Sequence, residues 1–314
     1  MTEPATGRWG SSYHAPVMVD EVVALLSGAD QVLDCTLGGG GHSDALLASG
    51  SSVVALDRDE AAITEARKRL ASYEASGRFL AIRGNFGEID RIRELDGRAF
   101  DAILADLGVS WHQIDADERG FSFRPGALLD MRMDRRSTTT AAELLNTLDE
   151  AELSHIFREY GDEPRATRLA RQIVHRRQRK PMHVSDDLVD AIRGAFGARM
   201  GPGDFARLFQ AVRIAVNEEL EVLERALPLL RDKLKPGGRL AVISYHSGED
   251  RLVKHTMREW SQACVCPPRQ LQCTCRGKPL GQLITKRALT ASSEQTALNP
   301  RSRSARLRAW RSAA

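Results

Sequence analysis

Apolar residues in the first hundred positions fall in short unbroken runs. Val32-Leu33, Val53-Val54-Ala55-Leu56, Phe79-Leu80-Ala81-Ile82 and Ala102-Ile103-Leu104-Ala105 each have strand length and are apolar throughout. Such runs mark strands covered on both faces, as in a parallel sheet. Helical spacing lies between them. Residues 14–26 read as a short extended lead-in and an amphipathic helix. A helix from about Ala61 to Ser72 puts Ile63, Ala66 and Leu70 on one face. A fifth run, Arg239 to Ile243, follows much later, and Gly281–Lys286 with Ala305–Trp310 read as a closing pair of strands. Strand alternating with helix predicts an α/β, Rossmann-like doubly wound sheet.

The alternation stops between the fourth and fifth strands, where about Gln113 to Arg207 carries helical signals only. Thr140 is placed to cap one helix, with Glu143 at the capping-box position. Asp149 to Tyr160 ends at Gly161, a candidate C′ glycine. Pro164 and Pro181 bracket an arginine-rich helix, and Ser185 is placed to cap the next. Phe205 to Leu234 reads as one helix kinked at Pro228. The expected layout is a sheet domain in two parts, 13–112 and 208–314, around an all-helical insertion, 113–207. An insertion of that size is expected to grip a large substrate.

The chain has 314 residues, 42% hydrophobic and 28% charged, enough for one large domain or two. No apolar run approaches the roughly 20 residues of a membrane span. Residues 1–12 lack the charged-then-apolar pattern of a signal peptide, so a cytoplasmic protein is expected. The net charge of +3 hides an uneven distribution. Residues 285–314 carry +6, leaving −3 on the rest, and Arg165 to Lys180 holds seven basic residues and no acid. Two basic clusters suggest a polyanionic partner, although charge runs are more commonly solvated faces.

Candidate chemistry centres on Val32-Leu33-Asp34-Cys35-Thr36-Leu37-Gly38-Gly39-Gly40-Gly41-His42. A strand ends in an acid, and four glycines lead into a helix N-terminus. Backbone can approach a ligand closely there, and free N–H groups favour polar or anionic atoms. Asp57 closes the second strand, where a carboxylate can accept both ribose hydroxyls of a nucleoside cofactor. NAD and S-adenosylmethionine both satisfy that pattern. Ser43 stands where the NAD fingerprint wants a third glycine, and the Leu234-Lys235-Pro236-Gly237-Gly238 junction before strand five resembles class I S-adenosylmethionine-dependent methyltransferases. Asn85 and Phe86 follow strand three, where they could flank an adenine. Asp106 ends strand four at the crevice. His246, after strand five, is a candidate second polar group in the substrate pocket.

Four of the five cysteines form Cys264-x-Cys266 and Cys273-x-Cys275. Four thiols so close could hold a zinc ion tetrahedrally, although the spacing is not the usual CxxC. Stable disulfides are not expected in a reducing cytoplasm.

Several stretches together resemble one family. They are His14-x-Pro16-Val17, the glycine turn, Asp106-Leu107-Gly108-Val109-Ser110, Glu118-Arg119-Gly120-Phe121-Ser122-Phe123, and Asp130-Met131-Arg132-Met133-Asp134. Further on come Phe209-Gln210-Ala211-x-Arg213-Ile214-x-Val216-Asn217-x-Glu219-Leu220, Ile243-Ser244-Tyr245-His246-Ser247-x-Glu249-Asp250-Arg251 and Asn299-Pro300-Arg301-Ser302-Arg303-Ser304-Ala305. In colinear order these resemble the RsmH (MraW) family of bacterial 16S ribosomal RNA cytosine-N4 methyltransferases. The resemblance implies S-adenosylmethionine as cofactor, held by Gly40, Gly41, His42, Asp57, Phe86, Asp106 and Gln113, and 16S rRNA of the small ribosomal subunit as partner. Its target would be cytosine 1402 in RNA numbering, with Asp106 as the catalytic candidate. Leu37, Trp111-His112 and Gly248 depart from the commoner family residues. Many members lack the four late cysteines, which argues against a catalytic metal. Chemically, the exocyclic amine is a poor nucleophile and needs an acceptor on N4–H, either Asp106 or a backbone carbonyl. Two other classes stay open on sequence alone, an NAD-dependent oxidoreductase and an RNA-binding assembly factor with little turnover. A homodimer is also left open.

Overall fold

The computed structural model describes residues 9, 16–108, 119–267, 270 and 272–314, with only the backbone at Arg301. The chain begins with α1 (Val19–Leu26), β1 (Gln31–Asp34), α2 (Gly41–Ala48), β2 (Ser52–Asp57), α3 (Glu60–Arg69), α4 (Ala71–Ala75), β3 (Phe79–Arg83) and β4 (Phe100–Asp106). Helices follow as α5 (Ala141–Thr147), α6 (Glu150–Glu159), α7 (Ala166–Arg177), α8 (Ser185–Phe196) and α9 (Pro202–Asn217). Then come α10 (Glu219–Asp232), β5 (Leu234–Ser244), α11 (Ser247–Trp260), β6 (Gly281–Leu283), α12 (Ser293–Leu298) and β7 (Arg306–Ser312).

Among the described residues seven strands form one sheet in the order β3-β2-β1-β4-β5-β7-β6. The first five are parallel, and β7 runs antiparallel to both β5 and β6. The doubly wound sheet is therefore as the apolar runs predict. A closing pair of strands in the basic tail would put part of that tail at the sheet edge, but β7 lies inside the sheet and β6 is its edge. Strand order reverses between β1 and β4, the switch point where such sheets open a crevice.

Alternation along each strand divides the core. Leu33, Val54, Ile103, Ala105 and Val242 pack with Val222, Leu227, Leu230, Met257 and Trp260 of α10 and α11. Their neighbours Val32, Val53, Ala55, Ala102, Leu104 and Ala241 turn to the other face, under Val22, Leu26, Leu47 and Ile63 of α1 to α3 and Leu70 just after α3. Each fully buried aliphatic side chain of this kind stabilises the fold by about 1.5–3 kcal/mol. The Lys-Pro-Gly-Gly junction does not precede β5 but interrupts it. Leu234 already pairs with Phe100, the ladder resumes at Arg239 with Ala102, and Lys235–Gly238 loop out. Gly237 takes φ +74° there.

By backbone contacts the chain divides into two compact units, residues 1–108 with 221–314, and residues 109–220. The expected boundary at 207/208 falls inside α9, whose Phe205, Leu208, Phe209 and Val212 are buried in the helical unit's own core. Three local expectations in this unit are also corrected. Gly161 is not left-handed; Asp162 takes that conformation at φ +46°. Glycine stands at 161 because a Cβ would lie 2.7 Å from the Phe157 carbonyl oxygen. Ser185 does not cap α8: its hydroxyl donates to Arg124 O at 2.5 Å, while Asp187 accepts from the His183 and Val184 N–H groups. The single long helix expected to Leu234 is two helices, broken at Glu218 with φ +49°.

Candidate active site

The glycine turn joins β1 to α2 at the switch point. Gly38 and Gly40 both take positive φ, 50° and 77°. A Cβ at Gly41 would lie 2.6 Å from Pro16 Cγ, so this position is glycine for want of space. Asp34 holds the turn closed, accepting from Thr36 N at 3.1 Å and Ser43 Oγ at 2.7 Å. The first N–H groups of α2 therefore face outward from the strand ends, available to a ligand. Asp57 approaches from β2, accepting Gly38 N at 2.8 Å on one oxygen and Asp59 N at 2.9 Å on the other. Each oxygen keeps a lone pair for a further donor. Burial pushes the Asp57 carboxyl up to about 6, against the two N–H groups that favour its ionised form.

Asp106, at the end of β4, is tied to the same turn. Its backbone N–H donates to Thr36 Oγ1 at 2.7 Å. Its Oδ1 accepts the Tyr245 hydroxyl at 2.8 Å, and its Oδ2 lies 3.6 Å from His42 Nδ1. His42 Nε2 meets Val17 O at 2.9 Å. A carbonyl only accepts, so Nε2 carries the hydrogen and Nδ1 is the atom turned to the carboxylate. Burial raises the Asp106 carboxyl above the ordinary range, while His42 and Tyr245 oppose the rise. Burial also raises the Tyr245 phenol, so it remains a donor. Gly108 gives this ring its place, since a Cβ there would meet two Tyr245 ring carbons at 3.1 Å.

Of the expected residues, Gly40, Gly41, His42, Asp57 and Asp106 line the carboxyl ends of β1, β2 and β4. Phe86 follows β3 but packs in the core, 8% exposed. Asn85 accepts Gly87 N at 3.0 Å, which caps a short 3₁₀ turn. Gln113 lies outside the described residues, as do His14, Val109 to His112 and Glu118. His246 is positioned otherwise than its place after β5 suggests: it caps α11, with Nδ1 3.4 Å from Glu249 N. The residue before it, Tyr245, reaches Asp106 instead. The signal was available, because both stand at the rim where β5 ends.

The arginine-rich helix α7 is less basic in place than in sequence. Arg165 stacks on Phe196 at 4.3 Å and pairs with Glu163 at 3.4 Å. Arg171 pairs with Glu150, Arg176 with Asp190, and Lys180 with Asp187, at 3.3, 3.3 and 2.7 Å. Arg177 donates to Leu145 O at 2.8 Å. Arg168 and Arg179 are exposed. No helix among the described residues is long and apolar enough to cross a membrane.

Residues 11–313 match the family model described as the MraW methylase family. A Gemmatimonas aurantiaca protein named ribosomal RNA small subunit methyltransferase H is 58% identical, covering 98% of this chain and 98% of its own. A Heliobacterium modesticaldum protein of the same name is 46% identical over 95% of this chain and 97% of its own. A third of that name, from Desulfosudis oleivorans, is 44% identical over 94% and 97%. With the glycine turn, Asp57 and the Asp106 cluster in place across this length, the chain belongs to the MraW methylase family.

Proposed function

We propose that this protein methylates the exocyclic N4 of cytosine 1402 in 16S ribosomal RNA of the small subunit. S-adenosylmethionine is the methyl donor, and its sulfonium supplies the electrophilic methyl. The residues fit such a ligand. Asp57 retains lone pairs for ribose hydroxyls, the N-terminus of α2 offers N–H groups, and the buried carboxylates of Asp34 and Asp106 suit a neighbouring cation.

The observation that carries the reading is the buried carboxylate of Asp106, held at the switch point by Tyr245 and Thr36. With its acid strength lowered by burial, it accepts hydrogen from the cytosine amine more readily, and positioning makes attack on the methyl effectively intramolecular. Carbon-5 methylation would need a thiolate at this rim. Cys35 lies beside β4 but packs in the core, 2% exposed, its thiol pushed well up by burial. Nitrogen is therefore favoured over carbon. The helical unit is assigned to RNA, through the exposed arginines of α7.

Purified small subunits and naked 16S RNA, each incubated with enzyme and donor, test this by nucleoside mass spectrometry. N4-methylcytidine at position 1402 is expected. 5-Methylcytidine, or methylation elsewhere, would overturn it.

A further inference from the structure

The two CxC turns come together in space. Cys264, Cys266, Cys273 and Cys275 place their four sulfurs within 4.8 Å of one another. Cys273 Sγ lies 3.7 Å from Cys264, 3.9 Å from Cys266 and 3.5 Å from Cys275, and Cys275 lies 3.9 Å from Cys264. Four thiolates around one zinc at about 2.3 Å would be separated by about 3.8 Å, the edge of that tetrahedron. A disulfide needs about 2.05 Å. A four-iron cluster puts each thiolate on a different iron and spreads the sulfurs further apart.

Backbone donors point at these sulfurs as well. Val265 N lies 3.3 Å from Cys275 Sγ, Gly277 N also donates to Cys275, and Thr274 and Cys275 N–H groups donate to Cys266. N–H groups aimed at ligand sulfur are the usual support for a metal-bound thiolate. The four side chains are exposed or partly exposed, so apolar burial does not account for their convergence.

We infer that these cysteines form a closed, tetrahedral zinc site. All four positions come from protein, which leaves none for water or substrate, so the ion is structural. Its place agrees. The turns lie between α11 and β6, where Arg276 hydrogen-bonds the Glu259 and Gln262 carbonyls and Leu280 N donates to Trp260 O at 2.8 Å. Trp260 meets Trp310 of β7 edge-on at 5.2 Å. The ion would thus staple the far end of α11 to the outer strands. Tyr245 is at the other end of that helix, about 21 Å away for 14 residues.

The test uses the full chain, purified under reducing conditions without chelators. Elemental analysis should find one zinc per chain, and the four thiols should resist a thiol reagent until zinc is removed. The reduced metal-free protein should take up cobalt with the visible spectrum of a tetrahedral thiolate site. Cys273→Ser with Cys275→Ser should lose the zinc, melt at lower temperature and keep its affinity for the methyl donor. If that variant does not fold, the wild-type thiol and cobalt measurements still decide. Metal-free protein with four reactive thiols and no cobalt uptake, two disulfides by mass, or stoichiometric iron would each overturn the assignment.

Discussion

The Tyr245 hydroxyl donates to Asp106 Oδ1 at 2.8 Å, although 139 residues separate the two in the chain. This bond fixes one carboxylate oxygen and leaves Oδ2 beside His42. A hydrogen bond to the ionised carboxylate also holds its pKa below what burial alone would produce. Tyr245→Phe removes the bond and should raise that pKa further. The acid limb of the kcat/KM profile would then move to higher pH. The carboxylate also loses the contact that orients it, and a misplacement of about 1 Å can cost about 100-fold, so turnover should fall by up to about that factor while donor affinity holds. An unshifted profile would show that the carboxylate does not titrate in catalysis.

Asp106→Asn is isosteric, and its backbone bond to Thr36 survives. The fold and much of the donor affinity should therefore persist, while single-turnover methylation drops by about a hundredfold or more. A variant that methylates at the wild-type rate would assign the acceptor role to backbone carbonyls.

Asp57→Ala should weaken S-adenosylmethionine binding by about 2–4 kcal/mol without unfolding the sheet. The wild-type site should also respond to pH. The folded carboxyl titrates at about 6, above its ordinary 3.8, so it takes up a proton as pH falls through 6. Donor hydroxyls need the ionised form. Affinity should be full above that value and then fall by up to about tenfold per unit below it. Calorimetry from about pH 8 to about pH 5 measures this, and a flat response would remove Asp57 from the ribose site.

Arg168 and Arg171 of α7 and Arg179 just after it are exposed to a polyanion, Arg171 through a weak surface pair with Glu150. Replacing all three with Ser should reduce the salt slope of RNA binding by about 0.7–0.9 per lost phosphate contact, with donor affinity unchanged. A slope equal to wild type would leave this helix a solvated face and shift attention to Arg303, Arg306 and Arg311.

What local pattern controls was legible in the sequence. Continuous apolar runs marked β1 to β5, the acids closing β1, β2 and β4 marked the crevice, and Thr140 caps α5 as its place predicted, accepting Glu143 N at 3.1 Å. What depends on distant partners was not. Tyr245's place at the rim after β5 was legible, but not that its hydroxyl would meet Asp106, 139 residues away. Likewise, the acids that neutralise α7 come from α6, from the turn before α7, and from α8, so a charge count along the helix overstated its field. Gly161 looked like a left-handed terminus, but the requirement was space beside Phe157 O. The break at Glu218 sits inside an unbroken helical pattern, which is why spacing alone joined α9 to α10.

The strand order has a consequence for biosynthesis. β7 is translated after β6, yet it fills the gap between β5 and β6. Until residues 306–312 leave the ribosome, the β5 ladder from Arg239 to Ser244 has no partner on that side. An open, apolar strand edge is a template for joining other chains. A nascent chain stalled after β6 would expose it, and nonsense mutations there should give aggregation or proteolysis rather than a shortened enzyme.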